Sequence, residues 1–143
     1  MKIIAVGAHP NDIGPGSGGT LRPLPRNGGT ASAVFLTRGE GSGHADIGPR
    51  RRAALGVLGV KEVCFGDFPD TEIAKSREAI GSLKQFCVKG DVGLVCTDGV
   101  NDARQDHLQV RWFSSAFRSV PKMLAYETRA FEAARDLAEC RET

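Results

Sequence analysis

The chain has 143 residues, the length of one compact domain, since domains usually contain roughly 100–200 residues. Its 19 lysines and arginines against 17 aspartates and glutamates give a formal net charge of +2, which is too small to imply nucleic acid or a charged membrane surface as a partner. No run of about 18 apolar residues is present to span a bilayer. We therefore predict a single domain over residues 1–143 that binds neither nucleic acid nor membranes.

The cysteine pattern bears on the cellular compartment. The four cysteines are irregularly spaced and form no CxxC pair. Free cysteine is among the most buried residue types, so we interpret them as reduced and mostly buried thiols. Near the N-terminus only residues 3–6 are apolar before Gly7, too short a run for the core of a signal peptide. These features predict a cytoplasmic protein, and the sequence is compatible with a homo-oligomer.

Short apolar runs alternate with longer segments of mixed polarity, the pattern of strands and helices in a parallel sheet. Strands are predicted at 2–7, 31–37, 62–65, 92–97 and 123–126. Helical spacing is found at 50–58, 71–87, 107–118 and 130–140. The pattern predicts a three-layer α/β/α fold with a mostly parallel sheet of about five strands.

The segment after the first strand fits this pattern poorly. A crossover helix is needed there, yet Pro15, Pro23 and Pro25 interrupt residues 12–26. A proline inside a helix removes a hydrogen bond and clashes with the preceding turn, at a cost of about 3 kcal/mol or more. We predict that this helix is short, kinked or partly irregular.

Polar side chains follow the first and fourth predicted strands. His9 and Asp12 come directly after the first strand, and His107 follows the fourth. If these strands are neighbours at the switch point of a doubly wound sheet, the three side chains converge at its carboxyl edge. Two imidazoles and one carboxylate can form an open, catalytic zinc site. Judged by spacing alone, a metal site and histidines with an ordinary structural role fit the sequence equally well.

Six motifs in a fixed order resemble the LmbE/PIG-L-like N-acetylglucosaminyl deacetylases. In chain order they are Ala8-His9-Pro10-Asn11-Asp12-Ile13, Gly18-Gly19-Thr20-Leu21, Leu36-Thr37-Arg38-Gly39-Glu40, Leu58-Gly59-Val60, Phe68-Pro69-Asp70, and Asn101-Asp102 with Asp106-His107. The resemblance covers residues 2 to about 126. It implies a Rossmann-like fold, and a domain that is shortened at its C-terminal side.

The resemblance also implies an activity and its site. The family hydrolyses the acetamide of N-acetylated amino sugars with one Zn²⁺. By position, His9, Asp12 and His107 match the zinc ligands. The residues that match substrate-binding positions are Glu40, Asp70 and one arginine of residues 50–52, which we assign to Arg51.

Two catalytic positions depart from the family pattern. The family motif reads AHPDD, and Asn11 replaces the aspartate that acts as general base. A neutral amide cannot accept that proton. Arg104 replaces a histidine that helps to stabilise the oxyanion; it remains charged but cannot act as an acid near pH 7. With the base missing we expect impaired activity, which a relay of the proton through water by Asp106 or Asp102 could partly rescue.

Two other functions remain open. The chain could be a non-catalytic relative that binds a metal ion or a carbohydrate, which the residues at positions 11 and 104 favour. Alternatively, residues 14–19 satisfy GxGxxG and Glu40 follows about 20 residues later, as in dinucleotide-binding proteins. The second alternative fits poorly, because residues 7–13 separate this run from the strand that it should follow.

Overall fold

The structure is a computed structural model that describes residues 1–23, 28–39, 48–73, 77, 80–81, 91–99, 104–114, 117 and 119–128. Its strands are β1 (Lys2–Gly7), β2 (Thr30–Thr37), β3 (Val60–Phe68), β4 (Val92–Asp98) and β5 (Met123–Tyr126). The helices whose bounds are described are α1 (Ile13–Leu21), α2 (Gly48–Val57) and α3 (Gln105–Ser114). No helix within the described ranges is long and apolar enough to cross a membrane.

The five strands form one parallel sheet in the order β3-β2-β1-β4-β5. The chain builds outward from β1 to β3, then returns to place β4 on the other side of β1. The direction of winding therefore reverses between β1 and β4, which is the switch point of the sheet. This confirms the prediction that the first and fourth strands are neighbours there. In such sheets the crevice at this switch point is the usual ligand site.

The core has one apolar layer on each face of the sheet. Side chains alternate along a strand, so Ile4 and Val6 of β1 pack in a cluster with α3, whereas Ile3 and Ala5 pack with α1 and α2. The α3 contributions to the first cluster are Val110 and Phe113, and those of α1 and α2 to the second are Ile13, Leu21 and Leu55. The three-layer fold is thus confirmed.

Helix α1 is short, as predicted, but Pro15 does not interrupt it. Pro15 is the third residue of a helix that begins at Ile13. The first four amides of a helix have no acceptor within it, so proline here removes no hydrogen bond. Pro23 follows directly after the C-cap residue Arg22, a usual position for proline beyond a helix end. Pro25 lies outside the described residues.

The other element predictions need small corrections. Strand β3 extends well beyond the predicted 62–65, and α3 begins and ends earlier than the predicted 107–118. Residues 71–73 are not helical, whereas 77, 80 and 81 are; the rest of 71–87 and all of 130–140 lie outside the described residues. Of the cysteines, Cys64 is half-buried and Cys96 is buried, both as free thiols. Burial raises the pKa of Cys96 to about 11.

The last strand is fastened to the first helix by a tight contact. The Tyr126 hydroxyl donates a hydrogen bond of 2.7 Å to the Val6 carbonyl, and its ring lies against the backbone of Gly16. A Cβ atom at Gly16 would approach the ring to 2.2 Å. A glycine is therefore required at this position for α1 and β5 to approach.

Replacing this glycine should destabilise the protein, whereas a matched replacement in the same helix should not. A Cβ atom at the exposed Gly19 has no neighbour within 4 Å. We expect Gly16→Ala to lower the free energy of unfolding by about 1–3 kcal/mol through overpacking. Gly19→Ala should raise it by up to about 1 kcal/mol, because alanine favours helix. Urea denaturation measures both, and equal effects of the two variants would contradict the contact.

Candidate metal centre

The loop after β1 is held in a tight turn that directs two side chains toward β4. The backbone N–H and the hydroxyl of Thr37 both donate to the Ala8 carbonyl at 3.0 Å. The Asp12 backbone N–H donates to the His9 carbonyl at 3.1 Å, and the His9 N–H donates to Asp12 Oδ2 at 2.7 Å. The end of β2 and the turn itself thus fix His9 and Asp12 at the carboxyl edge of the sheet.

Helix α3 brings His107 to the same place. Its ring is fully buried, with its centroid 5.6 Å from that of His9. Asp12 Oδ2 lies 3.4 Å from His9 Nδ1 and 3.5 Å from His107 Nε2. These three residues are the candidate ligands that the sequence placed together, and they form a group that could hold a metal ion.

The donor set fits a tetrahedral ion. Zinc binds histidine nitrogen and carboxylate oxygen at about 2.0–2.2 Å, which places neighbouring ligand atoms about 3.3 Å apart at the tetrahedral angle. The separations of 3.4 and 3.5 Å from the Asp12 oxygen are close to that value. Three such ligands would also leave a fourth position open, as catalytic zinc sites do.

A further carboxylate orients His107. Asp98, the last residue of β4, is 1% exposed, and its Oδ1 lies 2.8 Å from His107 Nδ1. A carboxylate can only accept, so in the neutral ring it favours the hydrogen on Nδ1, which would leave Nε2 as the nitrogen for a metal ion. Asp98 is not among the site residues predicted from the sequence. The available signal was a carboxylate at the end of an apolar strand, nine positions before a candidate ligand.

The opposite side of the His9 ring faces two more carboxylates. His9 Nε2 lies 3.0 Å from Asp106 Oδ2 and 3.7 Å from Asp70 Oδ1. The same Asp106 oxygen accepts the Thr71 backbone N–H at 2.8 Å. His9, Asp70 and Asp106 thereby form a second group with ligand spacing. Two predicted site residues, Asp70 and Asp106, therefore lie beside the candidate ligands.

The carboxylates hold both imidazoles in a more basic state. Burial by itself lowers the pKa of His9, but Asp12, Asp70 and Asp106 outweigh it and the net pKa is raised above 6.5. Burial likewise lowers the pKa of His107, and Asp98 and Asp12 raise it above 6.5 on balance. In metal-free protein, a proton on either ring therefore supplies part of the positive charge that a metal ion would supply.

The remaining predicted residues that the structure describes lie outside the group of candidate ligands. Asn11 is exposed beside Asp12, and Arg104 is exposed just before α3 with its guanidinium donating to the Thr128 hydroxyl.

Arg51 is half-buried on α2, which packs against β3, two strands away from β1. Its neighbour Arg52 lies over the Phe65 ring and donates to the Val63 carbonyl. Glu40 and Asp102 lie outside the described residues.

The GxGxxG run has a different environment from a nucleotide loop. Residues 14–19 lie within α1. They begin at the second helical residue, and from Gly16 onward their amides take part in helical hydrogen bonding, whereas the dinucleotide fingerprint lies in the turn that joins strand to helix. The described geometry gives no support to the dinucleotide-binding alternative.

Fold and site together define an α/β protein with a His-Asp-His group of metal-ligand type at the switch point of a parallel sheet. The sequence model of the family described as PIG-L, GlcNAc-PI de-N-acetylase, matches residues 4–117. The chain belongs to this family, which confirms the resemblance inferred from the motifs.

Three known proteins illustrate the relationship. The chain is 34% identical to the uncharacterised deacetylase YaiS of Escherichia coli, over 88% of this chain and 73% of that protein. It is 34% identical to the diacetylchitobiose deacetylase of Thermococcus kodakarensis, over 66% of this chain and 39% of that protein. The crystal structure of a conserved protein from Thermus thermophilus has the same fold, with a TM-score of 0.75 at 24% identity, and the match covers 87% of this chain and 65% of that one.

Removing the Asp98 carboxylate should weaken metal binding. We expect Asp98→Asn to lower zinc affinity about 10–100-fold, the usual effect of losing a carboxylate that orients a ligating histidine. Asp67→Asn is the matched control, because Asp67 is 82% exposed and pairs with Arg38 on the surface. Competition with a chromophoric chelator measures both affinities. Equal affinities for Asp98→Asn and the unmodified protein would contradict the assigned role.

Metal binding should also strengthen as pH rises. Both histidines have pKa values raised above 6.5 in the folded chain. Their protonated forms stabilise the metal-free protein below that pH, and this stabilisation is lost as pH rises through the folded-state pKa values. Ligation needs neutral rings. The increase in melting temperature caused by zinc, relative to chelator, should therefore grow from pH 5.5 to 8; an increment that is constant with pH would contradict this linkage.

Proposed function

We propose that this chain is a zinc-dependent amide hydrolase that removes the N-acetyl group from an amino sugar of the N-acetylglucosamine type, and that it works slowly. The spacing of His9 Nδ1, Asp12 Oδ2 and His107 Nε2 at the switch point carries the proposal. Family membership supports deacetylation. The diacetylchitobiose deacetylase among the relatives supports an acetylated sugar.

The metal would be held by His9, Asp12 and His107, with Asp98 orienting His107. When bound, zinc polarises a carbonyl and lowers the pKa of water to about 7. The chain itself supplies a buried ligand set. Asp12 and His107 are only 3% and 0% exposed, so their charges and dipoles act in a medium where electrostatic interactions are strong.

Substrate contacts are assigned to polar groups around the ligands. The Asp70 side chain is 16% exposed beside His9, a position from which a carboxylate can accept hydrogen bonds from sugar hydroxyls. Glu40 is also proposed as a substrate contact on the motif match alone, and so is Arg51, although Arg51 lies on α2 beside β3, two strands away from β1. Arg104 lies at the exposed start of α3, where its permanent charge can offset negative charge that develops on the amide oxygen.

The expected slowness follows from Asn11. The residue is exposed next to Asp12, at the motif position where the family has its general base. Its amide cannot take a proton from water. General acid–base catalysis typically contributes 10²–10⁴-fold, or about 3–5 kcal/mol of the barrier at about 1.4 kcal/mol per tenfold. Relay through Asp106 is a weaker substitute, because its Oδ2 already accepts two hydrogen bonds.

Restoring a carboxylate at position 11 should restore the rate. We expect zinc-loaded Asn11→Asp to release amine from N-acetylglucosamine derivatives at least a hundredfold faster than the unmodified chain. Zinc affinity should stay within a few-fold, because Asn11 is not a ligand. Asn11→Ala is the control for a change of shape without a carboxylate. No gain from Asn11→Asp would contradict the missing-base explanation.

A second candidate is a non-catalytic member that binds zinc and an acetylated sugar. Neutral Asn11 and permanently charged Arg104 favour it, since neither can transfer a proton near pH 7. Titration calorimetry with N-acetylglucosamine derivatives separates the two functions when combined with the amine-release assay. Binding without release in both the unmodified chain and Asn11→Asp would identify a binding protein.

A further inference from the structure

The two nitrogens of His9 face opposite sets of carboxylates. Nδ1 lies 3.4 Å from Asp12 Oδ2, on the side of His107. Nε2 lies 3.0 Å from Asp106 Oδ2 and 3.7 Å from Asp70 Oδ1. Both sides have ligand spacing, but a neutral imidazole offers only one lone pair. The nitrogen that can bind an ion is therefore the one that does not carry the hydrogen.

The Asp106 carboxylate can determine which nitrogen of His9 carries the hydrogen. It is 4% exposed, and its Oδ2 is directed at His9 Nε2. An ionised carboxylate accepts hydrogen bonds and donates none. With Asp106 as acceptor, Nε2 carries the hydrogen and the lone pair of Nδ1 faces Asp12. An ion on the Nε2 side would have to displace that hydrogen and compete with the Thr71 N–H for the same oxygen.

The same oxygen also holds a strained turn. Thr71 has φ +67°, the only positive value at a described residue other than glycine. This left-handed conformation is unfavourable for a β-branched residue. Its N–H donates to Asp106 Oδ2 at 2.8 Å, which fixes the backbone directly after Asp70. Loops from the ends of β1 and β3 thus meet on one atom of α3.

We infer that Asp106 is a positioning residue whose Oδ2 performs two tasks: it fixes His9 with Nδ1 toward the ion, and it holds the Asp70-Thr71 turn beside the site. The inference deepens the proposed function and rests on it, since it specifies how the ligand side and the substrate side are joined. This positioning role differs from the proton relay considered above, which the same two hydrogen bonds of Oδ2 weaken. The juxtaposition is one buried oxygen within 3.0 Å of both a ring nitrogen and a strained backbone amide.

The first experiment reads the ring directly in metal-free protein. Long-range ¹H–¹⁵N correlation at a pH where His9 is neutral distinguishes hydrogen on Nε2 from hydrogen on Nδ1. We expect the unmodified chain to hold it on Nε2 and Asp106→Ala to show a mixture. Asp106→Asn should keep Nε2–H, because its carbonyl must face the two donors. An unchanged tautomer in Asp106→Ala would overturn the inference.

The second experiment tests which side binds the ion. Zinc affinity should fall about 10–100-fold in Asp106→Ala and less in Asp106→Asn. Asp70→Asn is the matched control, since Asp70 also faces Nε2 but lies outside the proposed ligand set, and its zinc affinity should stay within about twofold. If Asp70→Asn lost as much affinity as Asp106→Ala, the ion would lie on the Nε2 side and the inference would be wrong.

A third variant separates the two tasks. Glycine adopts the left-handed conformation freely, so Thr71→Gly should tolerate loss of the Asp106 acceptor. When Thr71→Gly is added to Asp106→Ala, we expect the double variant to recover the free energy of unfolding that Asp106→Ala loses. The His9 ring should still show the mixture of tautomers. Failure to recover stability would overturn the claim about the turn. Because the tautomer is measured without zinc or substrate, a chain with no deacetylase activity would still give a result.

Discussion

The pairing of β1 with β4 is the constraint on which the site depends. Ile3, Ile4 and Ala5 of β1 pair in parallel with Leu94, Val95 and Cys96 of β4, although about ninety positions separate them. Only this pairing brings the His9-Asp12 turn next to Asp98 and the start of α3. Its stability comes from apolar side chains buried on both faces of the sheet. The chemistry at the edge therefore rests on ordinary hydrophobic burial, and not on local sequence.

Charge balance favours a cation at this edge of the sheet. Four carboxylates, those of Asp12, Asp70, Asp98 and Asp106, lie within 4 Å of a ring nitrogen of His9 or His107. Buried negative charge is costly unless it is paired. Protonation of the rings offsets part of it, as their raised pKa values show. In the proposed site, the imidazoles and carboxylates divide into ligands and residues that orient ligands.

Much of this organisation could be predicted from residues alone. Alternation of apolar runs located all five strands, and His9, Asp12 and His107 were identified because they follow strand ends that a doubly wound sheet must bring together. Asp98 was missed, because one carboxylate at the end of a strand has many ordinary uses. The effect of Pro15 was overestimated, because it depends on whether α1 begins two residues earlier or later. Hydrogen-bond partners such as Thr71 for Asp106 depend on three-dimensional contacts that periodicity does not encode.

The contact between Tyr126 and Val6 spans 120 positions, and this separation matters during synthesis. A nascent chain emerges from its N-terminus, so β1 can pair with β2 early but must wait for β4 and β5. During that interval one edge of β1, an almost wholly apolar strand, is open to other chains. Long-range parallel pairing is slow and prone to aggregation. Production yield of this protein should therefore depend on how quickly its second half follows its first, and on chaperones that shield an unfinished sheet.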